Sequence, residues 1–188
     1  MRKGAVFCAA LLLSACSSTI DNTYYQLPSK PAAMQVRSGG DAQPPALWVQ
    51  QVAVPDYLAG NGLVYQTSDV KYVIAANNLW ASPLDQQLQQ TLVANLSKAL
   101  PGRLVSAAPL GEKHDTLSVT VTGFQGRYDG RAVVSGEWVL QHNGHVVKQG
   151  FDVALPQNED GYDALVRTLA IGWQQTAQQI ANAAITTE

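Results

Sequence analysis

The sequence has little charge and lacks the common catalytic signatures. Asp, Glu, Lys and Arg make up only 14% of the 188 residues, against about a quarter in a typical domain. No basic run is present, which argues against a nucleic-acid partner. A Gly-x-Ser-x-Gly elbow, a His-Glu-x-x-His helix, a phosphate-binding loop and a Gly-x-Gly-x-x-Gly turn are all missing. We therefore expect no enzyme and no cofactor, and a surface used for protein contacts or simply coated with uncharged polar residues.

The apolar run near the N-terminus is too short to span a membrane. It follows Arg2 and Lys3 and covers residues 4–13, whereas a spanning helix needs about twenty residues. Two positive charges, a short apolar stretch and small residues after it are typical of an export signal that a peptidase removes. The sequence therefore predicts a signal peptide at residues 1–15.

Cysteine is scarce, and its two positions are informative. Cys8 lies inside the predicted signal peptide, which leaves Cys16 as the first residue after cleavage. Leu13-Ser14-Ala15-Cys16 resembles the lipobox of bacterial lipoproteins, which implies a diacylglyceryl group on the Cys16 sulfur and an acylated amine. Three acyl chains give an anchoring energy on the order of 30 kcal/mol, at about 0.8 kcal/mol per methylene. We expect a lipid-anchored protein without an internal disulfide; secretion as a soluble protein is the alternative.

Residues 16–46 have the composition of a tether that is rich in Pro, Gly and Ser. The apolar patch at residues 24–27 allows a first strand at residues 24–28, which would shorten the leash to about seven residues and roughly 25 Å. The remaining residues, 47–188, are enough for one domain at an apolar content of 46%. We expect a single domain that is held close to its bilayer.

The first half of this domain is predicted to hold strands and one helix. Residues 47–54 have strand composition, and residues 63–67 and 70–75 are expected to form a hairpin about Ser68-Asp69 that ends at Asn77-Asn78. The expected pairs in this hairpin are Tyr65 with Tyr72 and Leu63 with Ile74. Ser82 as N-cap and Pro83 at the first helical position begin a helix that Pro101-Gly102 stops. Its buried face carries a leucine at every fourth position: Leu84, Leu88, Leu92, Leu96 and Leu100.

The second half is predicted to hold a hairpin and a long helix. Short strands are expected at residues 103–107 and 117–121, the latter interrupted by Gly123 and Gly126. Asn143-Gly144 favours a type I′ turn, which pairs Leu140 with Val147, Gly136 with Phe151, Val134 with Val153 and Ala132 with Leu155. From about residue 160, apolar residues at spacings of three and four indicate an amphipathic helix. The fold class is therefore α+β, a mostly antiparallel sheet of about six or seven strands with two amphipathic helices packed on one face.

Few residues could carry chemistry, and each has a plainer role. His142 and His145 would face each other across the Asn143-Gly144 turn, but zinc needs at least a third ligand, so we expect no metal. A glycosidase would need a pair of acidic residues, but each candidate here has an ordinary structural role in a turn, at a helix start or on a polar strand face. These acids are Asp56, Asp69, Asp85, Asp129 and Glu137.

Three residues are candidates for partner binding. Tyr57 and Leu58 lie in a connection whose glycines permit unusual backbone angles, and they form either an exposed tip that docks a partner or a plug at the sheet edge. Trp80 is the third candidate, since its place in the pattern is the least certain among the tryptophans. The others, Trp48, Trp138 and Trp173, are expected in the core.

Five stretches of the sequence are arranged as in the PqiC lipoproteins. They are residues 24–28 (YYQLP), 52–62 (VAVPDYLAGNG), 65–72 (YQTSDVKY), 78–84 (NLWASPL) and 126–130 (GRYDG). The similarity runs from the lipobox to the final helix, and residues 52–100 are its most specific part.

This resemblance implies an auxiliary lipoprotein of an ABC-type or MCE lipid-transport system. It implies an MCE-domain periplasmic protein and its inner-membrane partner as partners, a role in envelope integrity, and no catalytic residues. Ser17 rather than Asp after the lipidated cysteine fits the periplasmic face of the outer membrane. Because MCE proteins are ring oligomers, a matching homo-oligomeric ring is a further hypothesis. A peptidoglycan-binding or peptidoglycan-cleaving envelope lipoprotein is the alternative function.

Overall fold

The computed structural model describes residues 21–29, 45–111 and 113–186, and these form eight strands and three helices. In chain order the elements are β1 (Thr23–Tyr25), β2 (Ala46–Ala53), α1 (Asp56–Ala59), β3 (Gly62–Gln66), β4 (Tyr72–Trp80), α2 (Leu84–Ala99), β5 (Leu104–Ser106), β6 (Asp115–Arg127), β7 (Arg131–His142), β8 (His145–Pro156) and α3 (Tyr162–Thr186). The predicted α+β class is confirmed. The strand number is slightly higher than expected because β1 joins the sheet, and the short α1 is an additional helix.

β6 is the strand to which the rest of the sheet attaches. On one side it pairs antiparallel with β7, which in turn pairs antiparallel with β8. On the other side it pairs parallel with β2 near its start and with β3 near its end. β5 extends the β2 branch, and β4 and β1 extend the β3 branch. Most paired residues are antiparallel, as predicted, because the long β6–β7–β8 meander supplies them.

The β7–β8 hairpin has the predicted register. Leu140 pairs with Val147 and Gly136 with Phe151, and the turn residues Asn143 and Gly144 have φ angles of 47° and 81°, as a type I′ turn requires. A Cβ on Gly136 would lie 2.7 Å from Phe151 Cζ and would also meet a β6 carbonyl. Only glycine therefore allows the Phe151 ring to lie over this point of the sheet.

One face of the sheet is covered by α2 and α3, which contact each other, β2 and β7. The leucines at every fourth position of α2 are all buried, as predicted: Leu84, Leu88, Leu92, Leu96 and Leu100. Trp173 of α3 packs against Phe124 and Phe151, with ring centroids 6.4 and 6.2 Å apart. Its indole N–H donates to the Leu88 carbonyl at 3.1 Å. The two helices are thus joined by a satisfied buried hydrogen bond.

The β3–β4 hairpin differs from its predicted register by one residue. The observed pairs are Val64–Ile74 and Tyr65–Val73, so the predicted pairs Leu63–Ile74 and Tyr65–Tyr72 were wrong. The connection is the longer loop of residues 67–71, closed by a hydrogen bond from Thr67 N to Lys71 O at 2.8 Å. A bulge between Gly62 and Val64 of β3 shifts the register once more, so that Gly62 pairs with Leu79. The register differs from the prediction because the connecting loop is longer than the expected two-residue turn.

β4 and β6 are longer than predicted. β4 continues through Asn77-Asn78, because Asn78 lies opposite Thr23 of β1. β6 runs through Gly123 and Gly126 with a bulge, because β7 pairs with it on both sides of the irregularity. Pairing with distant strands therefore outweighs the local preference of Asn and Gly against strands.

The start of α2 was also predicted incorrectly. The helix begins at Leu84 with Pro83 as its N-cap residue, and no side chain caps it. The Ser82 carbonyl instead accepts a hydrogen bond from Gln87 Nε2 at 2.8 Å. Trp48, expected in the core, is half-buried, and its indole N–H donates to the Ala107 carbonyl at 3.2 Å.

Candidate functional site

The predicted processing site, Leu13, Ser14, Ala15 and Cys16, lies outside the described residues. The first element that follows it in the sequence is β1. β1 lies parallel to the end of β4, with Thr23 opposite Asn78, and the Tyr25 hydroxyl donates to Asn78 Oδ1 at 3.1 Å. Partial burial raises the pKa of Tyr25, and the Asp163 carboxylate raises it further. Within the described residues, no helix is both long and apolar enough to cross a bilayer.

Tyr57 and Leu58 lie on α1, a single helical turn between β2 and β3. Leu58 is only 1% exposed and belongs to the core. Tyr57 is half-buried: its hydroxyl donates to the Thr122 carbonyl at 2.8 Å, and its ring packs on Tyr72 with centroids 4.9 Å apart. Burial raises the pKa of Tyr57 to about 12, with a smaller contribution from Tyr72. The phenol therefore stays neutral at physiological pH, and part of its ring reaches the surface.

Trp80 ends β4 and lies in the core. It is 4% exposed, and its ring lies beside Phe124 with centroids 6.2 Å apart. Its backbone N–H donates to the Asn61 carbonyl at 2.6 Å, which ties β4 to the loop before β3. Among the three partner-binding candidates, only Tyr57 has a partly exposed side chain, whereas Leu58 and Trp80 are buried in the core.

An exposed apolar surface lies on β4 and the loop before it. What we call the β4 apolar surface consists of four side chains, each at least 43% exposed: Val70, Tyr72, Val73 and Ile74. Tyr72 and Ile74 lie on one face of the strand and Val73 on the other, so the exposure extends around the edge of the sheet. Among the described residues, none pairs with the outer edge of β4 between Tyr72 and Asn77, so backbone groups there are available as well. This surface was not predicted from the sequence. The unbroken Tyr-Val-Ile run was the signal, but only the topology shows that β4 lies near the margin of the sheet.

Two turns lie side by side at one end of the sheet. Gln66, the last residue of β3, pairs with Tyr72 of β4 and with Arg127 of β6. The loop of residues 67–71 and the β6–β7 turn of residues 128–130 are therefore neighbours, and we call them together the turn end. Arg127 donates to both oxygens of the Asp129 carboxylate, at 2.9 and 2.6 Å. This hydrogen bonding lowers the pKa of Asp129.

The opposite end of the sheet holds a buried carboxylate. Asp115 forms an ion pair with Arg103 and accepts a hydrogen bond from His142 Nδ1 at 2.8 Å. His142 is thus oriented toward Asp115, although it also lies opposite His145 in the hairpin. Within the described residues, no three His, Cys, Asp or Glu side chains form a group that could hold a metal ion. The cluster joins the end of β7 to the start of β6 and to the segment before β5.

The acidic residues considered for a glycosidase pair lie on five different elements. They are Asp56 on α1, Asp69 in the loop before β4, Asp85 in the first turn of α2, Asp129 in the β6–β7 turn and Glu137 on β7. Glu137 forms a surface ion pair with Lys148 at 2.8 Å. Asp129 is likewise held by Arg127, so two of the five acids are paired with basic side chains at the surface.

The chain matches one protein family over most of its length. Residues 25–181 match the family of ABC-type transport auxiliary lipoprotein components. Two curated relatives, both named intermembrane transport lipoprotein PqiC, come from Escherichia coli (strain K12) and Shigella flexneri. Each is 58% identical over 182 residues, which covers 96% of this chain and 96% of the relative.

Solved structures share the fold. The crystal structure of an uncharacterized protein, 58% identical, superimposes with a TM-score of 0.78 and covers 87% of this chain and 99% of its own. A protein from Xanthomonas campestris with only 15% identity superimposes with a TM-score of 0.67, covering 88% of this chain and 100% of its own. The second similarity shows that the architecture persists where most side chains differ.

Proposed function

The chain belongs to the family of ABC-type transport auxiliary lipoprotein components, and from this membership we propose that it is the outer-membrane lipoprotein of a periplasm-spanning MCE-type lipid transport system. In this proposal the domain docks the MCE protein at the membrane and thereby supports envelope integrity. The observation that carries the proposal is the 58% identity over 96% of the chain to lipoproteins named for intermembrane transport.

The anchor is the first part of the proposal. Cleavage after Ala15 leaves Cys16 with its sulfur and amine acylated, and Ser17 directs the product to the outer membrane. Removal of Arg2 and Lys3 with the leader leaves 10 basic and 14 acidic side chains. Attachment to the membrane therefore relies on the acyl chains and not on an excess of positive charge.

Docking of the MCE protein is the second part. Tyr57, which is half-buried, and Tyr72, which is exposed, form an aromatic pair, and the exposed Ile74 lies on the same strand as Tyr72. Tyrosine supplies a large contact area at a small cost in side-chain entropy, and it is enriched at interface hot spots. We infer that this pair contacts the MCE partner, with the adjacent Leu58 fixing α1 in the core. Trp80, buried at the other end of β4, takes no direct part in this contact.

Purification of the full-length lipoprotein from membranes tests this function. We expect an MCE-domain protein to be recovered with the wild-type chain and to be recovered at least about tenfold less with Tyr57→Ala, as for the loss of a hot-spot residue. Tyr24→Ala is the control, because Tyr24 is an exposed tyrosine distant in sequence from α1. Recovery of murein fragments in place of an MCE protein would contradict the proposal and favour the peptidoglycan alternative.

A homo-oligomeric ring extends the proposal. A ring matched in symmetry to an MCE ring would present many copies of the same contact along one axis, which strengthens binding through multivalency. Light scattering of the lipoprotein at high concentration, with and without the MCE partner, is expected to show one defined oligomer. A monomer under both conditions would contradict the ring and leave the docking proposal intact.

A further inference from the structure

The two neighbouring turns of the turn end each expose an apolar side chain at the tip. Val70 in the loop before β4 is 76% exposed, and Tyr128 in the β6–β7 turn is 55% exposed. Turn tips are normally polar, and tyrosine is enriched where protein meets the membrane–water interface. Exposed apolar side chains at both tips therefore favour contact of the turn end with a surface that is less polar than water.

The direction of β1 brings the N-terminal leash toward the same end. β1 runs parallel to β4 with Thr23 opposite Asn78, so the residues before Thr23 lead toward the start of β4. Tyr72, the first residue of β4, lies six positions before Asn78, about 20 Å along the strand, and Val70 is in the loop just beyond it. A leash of about seven residues reaches at most roughly 25 Å. A chain of that length can therefore bring the anchor to the turn end without reversing direction, whereas the opposite end requires a reversal.

Charge at the turn end does not favour an acidic partner. The basic side chains there are Lys71, Arg127 and Arg131, and the acidic ones are Asp69, Asp129, Glu159 and Asp160. The last two belong to the loop that Gln157 joins to the β6–β7 turn through its N–H to the Gly130 carbonyl at 2.9 Å. Three basic against four acidic side chains give the turn end a net charge of about −1. Contact with a lipid surface would therefore depend on the apolar tips and not on anionic headgroups.

From these observations we propose that the turn end rests on the bilayer that holds the lipid anchor, with Val70 and Tyr128 in contact with lipid. The inference rests on the proposed lipidation of Cys16 and assigns a face of the domain to the membrane, which membership of the family does not do. The domain stands with the ends of β3 and β6 toward the lipid and the β7–β8 turn away from it.

Site-specific fluorescence in vesicles tests this orientation. The mature lipoprotein has no free thiol if Cys16 is acylated, so Val70→Cys, Tyr128→Cys and Val146→Cys can each be labelled singly with an environment-sensitive dye. Val146 is the matched control, since it is an apolar residue that is 63% exposed beside the β7–β8 turn. Each protein is reconstituted into vesicles of phosphatidylethanolamine and phosphatidylcholine that carry a spin-labelled lipid quencher.

We expect quenching at positions 70 and 128 to exceed that at 146 at least about threefold, because such quenchers act only at short range from the apolar layer. Adding anionic phosphatidylglycerol is expected to leave this ratio within about twofold. Flotation with the vesicles but equal quenching at all three positions would overturn the orientation and leave the anchor standing. Failure of all three proteins to float would contradict the lipid anchor and the orientation together.

Discussion

Tyr57 and Tyr72 pack ring against ring with centroids 4.9 Å apart, and they join α1 to the start of β4. The Tyr57 hydroxyl donates to the Thr122 carbonyl of β6 at 2.8 Å, which fixes the ring from its other end. Leu58, the next residue, enters the core. A single helical turn therefore places an aromatic pair on the surface while its neighbour holds that turn in the core.

Tyr57→Phe is expected to lower the stability of the domain at neutral pH and to remove a loss of stability that the wild-type domain shows above pH 10. Folding raises the pKa of Tyr57 from 10.0 to about 12, so the stabilisation by the neutral phenol is fully present below pH 10 and is lost as pH rises toward 12. Ultraviolet titration should show the loss of one phenol that ionises near pH 12. At neutral pH the variant should lose about 0.5–1.5 kcal/mol with the hydrogen bond to Thr122. Tyr24→Phe is the control and should retain the phenol that ionises near pH 12. If Tyr24→Phe lost that ionisation, its assignment to Tyr57 would be contradicted.

Gly136→Ala is expected to destabilise the domain by about 2 kcal/mol, in the range of overpacked core positions. The added methyl would meet Phe151 Cζ at 2.7 Å and a β6 carbonyl. Gly150→Ala, one residue before Phe151, is the control, because the nearest atom to its Cβ lies 3.6 Å away. Denaturation midpoints measure both variants. Equal midpoints would show that the contact between Gly136 and Phe151 does not limit packing.

Leu58→Ala is expected to cost about 2–5 kcal/mol, as for other buried leucines. Leu58 is 1% exposed and closes the core beneath α1. Ile171→Ala on α3 removes an apolar side chain that is 51% exposed, and it should change stability by less than about 0.5 kcal/mol. Thermal unfolding of both variants provides the comparison. A small effect of Leu58→Ala would indicate that α1 is an independent tip and does not plug the core.

Arg127→Gln is expected to raise the pKa of the Asp129 carboxyl toward its ordinary value. In the wild-type chain, hydrogen bonds from Arg127 lower the pKa of Asp129 below 3.8. Stabilisation from this pair is therefore present above pH 3.8 and is lost as pH falls through the lower folded pKa. The chemical shift of the Asp129 side-chain carboxyl carbon, measured as a function of pH, reports this pKa directly. An unchanged titration would show that the turn does not hold the two side chains together in solution.

The features predicted correctly from the sequence depend on local rules. Asn143-Gly144 adopts positive φ angles more readily than other pairs, so it sets both the turn and the β7–β8 register. The leucine spacing of α2 follows from helical geometry alone, which is why its buried face was predicted without knowledge of its neighbours. The resemblance of residues 52–100 to the PqiC lipoproteins is likewise visible in consecutive residues, without knowledge of the structure.

The features that could not be predicted depend on residues far apart in the chain. Asn78 stays in a strand because Thr23 pairs with it, and the exposed edge of β4 exists because β1 covers only the last three residues of that strand. Similarly, Tyr128 and Val70 are neighbours only through Gln66, which pairs with both Tyr72 and Arg127.

The amino-acid sequence by itself determined the leucine face and the Asn-Gly hairpin, and it predicts the export signal and the lipobox, because each is a property of consecutive residues or of one repeating period. The tertiary structure decided which strands form the margins of the sheet and which apolar side chains remain in water. Burial is a property of the whole packed chain, since the same Tyr-Val-Ile run is a core strand when covered and an exposed apolar surface when left at an edge.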